Sequence, residues 1–91
     1  MIEFKKPSEF PKGTFYNQLA DKYSFLTVVD GEPVGHISWD PRHCPEYVEI
    51  GHNCILTKHK GKGYGKLQLR EAVLRIKKYE GLKQSLIINL K

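Results

Sequence analysis

The hydrophobic and polar positions of this chain predict five strands and two helices. Alternating or β-branched apolar runs predict strands over residues 2–5, 24–29, 33–39 and 47–56, and a nearly continuous apolar run predicts a buried strand over 85–90. Apolar residues at helical spacing predict a short helix over 14–23 and a long helix over 64–80, with a main stripe of Leu69, Ala72, Val73, Ile76 and Tyr79. The order β-α-β-β-β-α-β predicts an α/β (α+β) fold, in which an antiparallel meander precedes one β-α-β crossover.

Glycines mark two special points within these strands. Asp30-Gly31 separates two strand patterns and predicts a hairpin turn. Gly51, in the middle of the 47–56 pattern, predicts a bulge or a close backbone approach. Regular alternation places His52 on the opposite face from Glu49, and unless the bulge re-aims His52 we expect it to be packed and hydrogen-bonded.

The length of the chain, its apolar runs and its cysteines indicate which classes of protein it can belong to. A length of 91 residues predicts one domain over 1–91. No apolar run approaches the ~20 residues needed to cross a bilayer, and the first residues carry no signal-peptide pattern, so we expect no membrane partner. Two cysteines, Cys44 and Cys54, indicate a reducing, cytoplasmic setting. Their spacing lacks a C-x₂₋₄-C pair, so we expect no metal site.

The net charge of +5 is concentrated in one segment. Lysines and one histidine crowd residues 58–66, and such a cluster favours an anionic partner: a phosphorylated cofactor, nucleic acid or an acidic surface. The alternative is a solvated lysine-rich face. The aromatic residues occupy core-like positions and do not interleave with the basic run, which argues against a nucleic-acid-binding protein.

The segment Lys60-Gly61-Lys62-Gly63-Tyr64-Gly65 has the properties of a phosphate loop. Its glycines let successive backbone N–H groups point into one concavity, and the helix that follows supplies unpaired N–H groups and a positive dipole end. The spacing fits neither a Walker A loop nor a Rossmann fingerprint. Tyr64 within it either covers the bound group or packs on the helix, and packing is the simpler interpretation.

These residues resemble the GNAT family of N-acetyltransferases. The loop is similar to the family's Gln/Arg-x-x-Gly-x-Gly/Ala signature, with Lys60 in place of Gln or Arg. The stretch YVEIGHNCIL (47–56) resembles the family's fourth strand, and DGEPVGHISW (30–39) resembles the hairpin of its second and third strands. The fold expected from this resemblance is GNAT-like, with a β-α-β crossover that binds acetyl-CoA.

The resemblance implies a function and roles for particular residues. The function is transfer of acetyl from acetyl-CoA to an amine by direct attack on the thioester. The pyrophosphate of the coenzyme would be bound by Lys60, Gly61, Lys62, Gly63, Tyr64, Gly65 and the flanking Lys66, and the pantetheine arm by Asn53, Cys54, Ile55 and Leu56. An N–H near Ile55 would polarise the acetyl carbonyl. Glu49 would be the general base, and partial burial would raise its pKa toward neutrality.

The sequence also departs from the family pattern. Members usually have two helices between the first two strands and continue past the fifth strand with a helix and two strands, which provide a general acid and much of the acceptor site. We therefore expect the edge of strand 85–90 to be covered by a second copy, as a homodimer, or the chain to be a truncated form. A non-catalytic acyl-CoA-binding module is the alternative function, and the acceptor amine is left open.

Overall fold

Five strands and one α-helix make up the fold of the computed structural model, which describes residues 1–11, 19–43, 46–78 and the backbone of 87–90. The strands are β1 (Ile2–Lys5), β2 (Ser24–Val29), β3 (Glu32–Asp40), β4 (Tyr47–Ile55) and β5 (Ile87–Leu90). The helix α1 (Tyr64–Lys77) connects β4 to β5. Short 3₁₀ turns lie at Pro7–Glu9, Asp21–Tyr23 and Thr57–His59. No helix in the described part of the chain is long and apolar enough to span a bilayer.

The strands form a single mixed sheet in the order β1-β2-β3-β4-β5. The first four strands are antiparallel neighbours, and β5 pairs parallel to β4. The β2–β3 hairpin turns at Asp30 (φ 49°) and Gly31 (φ 84°). Positive φ at both central residues matches the right-handed twist of the strands, which explains why Asp-Gly occupies this turn.

A bulge divides β4 into two parts at Gly51. Ser38 of β3 pairs with His52, whereas the next residue, Trp39, pairs with Ile50, so Gly51 is the extra residue. A side chain added at Gly51 would lie 3.7 Å from the Ser38 hydroxyl, so space does not require glycine there. The bulge shifts the alternation by one position, and side chains after Gly51 therefore reach faces opposite to those of a regular strand.

The hydrophobic core lies between the sheet and α1. It consists of seven buried residues: Phe25, Ile37, Trp39, Val48, Ile50, Ala72 and Ile76. Arg75 adds a cation–π contact, with its guanidinium carbon 4.3 Å from the centre of the Phe25 ring. This packing fixes the helix axis against β3 and β4, and so fixes where the helix begins.

The predicted elements agree with the structure except near three segments. The helix predicted over 14–23 is wrong at its end, because residues 19–20 are not helical and Asp21–Tyr23 is a 3₁₀ turn; residues 12–18 lie outside the described residues. The long helix ends at Lys77, and the rest of the 64–80 prediction from 79 on is not described. Leu56 lies beyond the end of β4. In the predicted stripe of α1, Ala72 and Ile76 are buried, but the third buried residue of α1 is Gln68.

Candidate functional site

The glycine-rich segment forms a tight turn that leads directly into α1. Gly61 (φ 83°) and Gly63 (φ 85°) both adopt the left-handed conformation, which costs glycine little and other residues more. Gly63 is the N-cap of the helix, and its carbonyl accepts from the Leu67 N–H at 3.2 Å. Among the described residues no side chain caps this helix start, so its first N–H groups face outward.

Open space surrounds this turn. Among the residues that the structure describes, none comes within 4 Å of the position that a Cβ would take at Gly61 or Gly63. The side chains of Lys60, Lys62 and Lys66 are exposed around it. Outward N–H groups, the helix dipole and nearby lysines all place positive charge or partial charge at this turn. The predicted loop residues are thus brought together at the start of α1, with Tyr64 half-buried among them.

Lys58 and His59, which precede the glycine turn, contact Glu32 at the start of β3 through charged groups. The Glu32 carboxylate lies 3.2 Å from Lys58 Nζ and 2.5 Å from His59 Nε2. Hydrogen bonds from Lys58 and His59 lower the pKa of Glu32. A surface pocket of about 380 Å³ separates the hairpin from the turn, and its lining residues are Val29, Asp30, Glu32, Val34, His59, Lys62 and Tyr64. These contacts hold the first part of the loop beside the sheet.

The second half of β4 presents one open backbone edge. Within the described residues β5 pairs with Tyr47–Ile50 only, so the same edge has no strand beside it from Gly51 onward. The Leu56 N–H donates to the Val34 carbonyl at 2.8 Å, toward β3. Because backbone groups alternate in direction along an antiparallel pair, the groups of Asn53 and Ile55 point to the open edge and those of Cys54 point to β3.

Gln68 is the buried polar residue of the site that the sequence pattern did not predict. Its carbonyl oxygen accepts from the Thr27 hydroxyl at 2.8 Å. Its amide nitrogen donates to the His36 carbonyl at 2.8 Å, to Asn53 Oδ1 at 2.9 Å and to the Cys54 carbonyl at 3.3 Å. One side chain of α1 therefore contacts three neighbouring strands.

Glu49 lies on the sheet face opposite α1, because its neighbours Val48 and Ile50 both pack in the core beside the helix. It is half-buried and pairs in register with Asp40. The hydrogen bonds of Arg42 hold the pKa of Asp40 at about 2, and Arg42 Nη2 lies 2.6 Å from Asp40 Oδ2. The pKa of Arg42 is raised mainly by Asp40 and in lesser part by Glu49. Glu49 is therefore close to a guanidinium group.

The bulge corrects the prediction for His52. Since Asn53 contacts Gln68 on the helix side, His52 and Cys54 lie on the other face, the face of Glu49. His52 is exposed, which is the case that the sequence left open, because the bulge re-aims this side chain. Its neighbour His36 has a lowered pKa, first through burial and then through the charge of His52. Cys54 is a free, exposed thiol, and Cys44 lies outside the described residues.

Comparison with known proteins agrees with this geometry. No curated protein sequence matches the chain. Its fold is similar to that of the N-acetylglutamate synthase from Neisseria gonorrhoeae complexed with coenzyme A and N-acetyl-glutamate, with a TM-score of 0.65 and 10% identity over 85% of this chain. The chain spans 23% of that protein.

A second similar fold is the ribosomal-protein-alanine N-acetyltransferase from Brucella melitensis biovar Abortus 2308. The TM-score is 0.58 at 21% identity, and the match covers 100% of this chain and 79% of that one. These two likenesses concern the fold. The sequence itself matches the family described as "Acetyltransferase (GNAT) family" over residues 2–90. The chain therefore belongs to the GNAT acetyltransferase family.

Proposed function

We propose that this chain binds acetyl-CoA and transfers the acetyl group to an amine. The observation that carries the proposal is the placement of two features on one side of the fold. A glycine turn with positive φ at Gly61 and Gly63 precedes α1. Beside it, no strand in the described part of the chain pairs with the edge of β4 from Gly51 onward. An anion site next to an open strand edge suits a long ligand with a phosphate group and an amide-containing arm.

The residues present fit acetyl-CoA. Outward N–H groups of residues 60–65, with open space before Gly61 and Gly63, would hold the pyrophosphate, and Lys66 would add charge. Residues 53–56 would hold the pantetheine arm, in which the backbone groups of Asn53 and Ile55 are the ones directed to the open edge. A ligand bound in this way extends the sheet by hydrogen bonds and requires no particular side chain there.

Acetyl-CoA supplies the reaction with an acetyl group activated as a thioester. The Ile55 N–H is directed to the open edge, where it can donate to an oxygen that gains negative charge. An amine is protonated at neutral pH, so a base must remove a proton before it attacks. We propose that the Glu49 carboxylate accepts that proton. Glu49 is half-buried and lies on the same strand as Ile55, on the other side of the bulge.

Isothermal titration of acetyl-CoA into the wild-type chain and into Gly63→Asp tests the binding step. The substitution places a side chain and a negative charge in the anion site, and we expect affinity to fall at least about tenfold, or ~1.4 kcal/mol. Gly31→Asp is a matched control, because Gly31 (φ 84°) has nearly the same backbone conformation as Gly63 (φ 85°) and equally open space. We expect the control to bind as the wild type does.

The results separate the possible functions. No binding of acetyl-CoA by the folded wild-type chain would refute the proposal. Binding that is lost only in Gly63→Asp supports the site, and an acetyl-transfer assay with a panel of amines then tests turnover. Binding without turnover on any amine would favour the alternative, a non-catalytic acyl-CoA-binding module.

A further inference from the structure

Gln68 makes an unusually complete set of hydrogen bonds for a fully buried side chain. It is 0% exposed, and both ends of its amide are engaged. The oxygen accepts from Thr27 on β2, and the nitrogen donates to groups on β3 and β4. An amide buried without partners is costly, whereas a leucine at this position would fill the space between helix and sheet with no such requirement. The hydrogen bonds of Gln68 therefore fix how α1 sits on β2, β3 and β4, in addition to filling the space between them.

Gln68 lies between the two parts of the proposed acetyl-CoA site, which are the glycine turn at the start of α1 and the open edge of β4. Gln68 lies one helical turn after Gly65, at the end of the glycine turn, so its backbone moves with the anion site. Its amide nitrogen reaches the Asn53 side chain and the Cys54 carbonyl, which flank the backbone groups directed to the open edge of β4. One residue thus connects the start of the helix to the open strand edge.

Close packing limits how far this amide can move. A Cβ on Gly35 would lie 3.1 Å from the Gln68 oxygen and 2.4 Å from the Cys54 carbonyl oxygen, so β3 approaches both groups closely. The helix in turn approaches β4 at Gly65, where an added Cβ would lie 3.7 Å from Ile55 Cγ1. Of the two glycines, Gly35 is the one whose missing Cβ allows β3 and β4 to come together around the amide.

We infer that Gln68 is a positioning residue, which holds the open edge of β4 at a fixed place relative to the anion site. This inference rests on the proposed function. A ligand that contacts both places gains affinity when the two places are held in the matching arrangement, because its second contact is then intramolecular. A ligand that contacts only the anion site gains nothing from Gln68.

Two ligands and the variant Gln68→Met test this difference. Methionine has a similar length and removes the hydrogen bonds. Acetyl-CoA probes both places, and 3′-phospho-ADP, the nucleotide end of the coenzyme without the pantetheine arm, probes the anion site alone. We expect Gln68→Met to weaken acetyl-CoA binding about tenfold or more, as small displacements of positioned groups do. We expect its affinity for 3′-phospho-ADP to stay within about twofold, since the N–H groups of the turn are unchanged.

Two further variants keep the result interpretable. Thr27→Val removes the donor to the Gln68 oxygen but leaves the amide in place, and we expect a smaller loss in the same direction, which remains measurable if Gln68→Met does not fold. Ile76→Val lowers stability in the same core about two helical turns after Gln68, and we expect it to leave the ratio of the two affinities unchanged.

The outcomes distinguish this inference from the proposed function. Failure of the wild-type chain to bind acetyl-CoA overturns the proposed function itself. If the wild type binds acetyl-CoA but Gln68→Met and Thr27→Val keep its ratio of affinities for the two ligands, Gln68 is a structural residue only and the inference is wrong. A selective loss of acetyl-CoA affinity in these variants, absent in Ile76→Val, supports it.

Discussion

Gly35 on β3 faces α1 where the backbones of β3 and β4 approach closely. A Cβ at this position would lie 2.4 Å from the Cys54 carbonyl oxygen and 2.6 Å from Ile55 Cδ1. Carbon atoms do not approach a backbone oxygen this closely, and Cys54 is held in the sheet opposite His36. Gly35→Ala therefore forces the backbones of β3 and β4 apart.

The cost follows from the kind of atom that must move. Inserting a methyl group into a well-packed core typically destabilises by about 1–3 kcal/mol, and we expect the upper half of this range because the nearest atom belongs to the backbone. Each kcal/mol lowers the melting temperature by roughly 4–8 °C in a domain of this size. The displaced Cys54 carbonyl also accepts from Gln68 at 3.3 Å, so the same variant should weaken that hydrogen bond.

Gly51→Ala provides the matched control for this prediction. Gly51 also lies within a strand, but a Cβ there would be 3.7 Å from Ser38 Oγ, an ordinary contact. Replacing a strand glycine by alanine without strain stabilises by about 0.4–1 kcal/mol through the unfolded state. Urea unfolding, followed by fluorescence of the buried Trp39, measures both variants. Equal stabilities for Gly35→Ala and Gly51→Ala would contradict the packing argument.

Two further predictions concern ionisable groups. Glu49→Gln should lower the rate of acetyl transfer about 10²-fold or more, while its affinity for acetyl-CoA, measured by titration, stays the same. Glu46→Gln, just before β4, is the control. Full activity of Glu49→Gln would exclude Glu49 as the base. His36 should make stability depend on pH, because burial and then His52 lower its pKa below the value of 6.5 for the unfolded chain. As the pH falls through that value the unfolded state binds the proton first, so stability decreases. His36→Gln should therefore flatten the fall of the urea midpoint as the pH drops below 6.5, and an unchanged slope would count against this assignment.

The strands and the main helix could be predicted because their signals are local. Alternation within β2, β3 and β4 and the helical spacing of Ala72 and Ile76 each depend on residues close together in sequence. A glycine within a strand indicates the irregularity at Gly51, which is a bulge. The Asp30-Gly31 turn likewise follows from the positive φ that these two residues adopt. The glycine turn before α1 could be read as an anion site for the same reason.

The role of Gln68 could not be predicted in this way. The i, i+4 spacing places Gln68 on the same face of α1 as Ala72 and Ile76. Its polar side chain, however, argues against burial when the sequence is considered alone. Its partners are 41, 32 and 15 residues away in the sequence, at Thr27, His36 and Asn53. Only the assembled sheet brings them together. The one local trace of the contact is Gly35, a glycine inside a strand, which indicates a close approach without identifying the group that approaches.

The bulge at Gly51 connects these observations, because it determines which β4 side chains face the helix. In a regular strand that shares Val48 and Ile50 with the core, the helix side would next receive His52 and Cys54. The extra residue instead directs Asn53 and Ile55 to that side, where Asn53 accepts from Gln68 and Ile55 packs beside Gly65. The same shift places His52 on the face of Glu49. One inserted glycine therefore both completes the hydrogen bonds of Gln68 and gathers the titratable groups of β4 on the opposite face, where we propose that the amine is deprotonated.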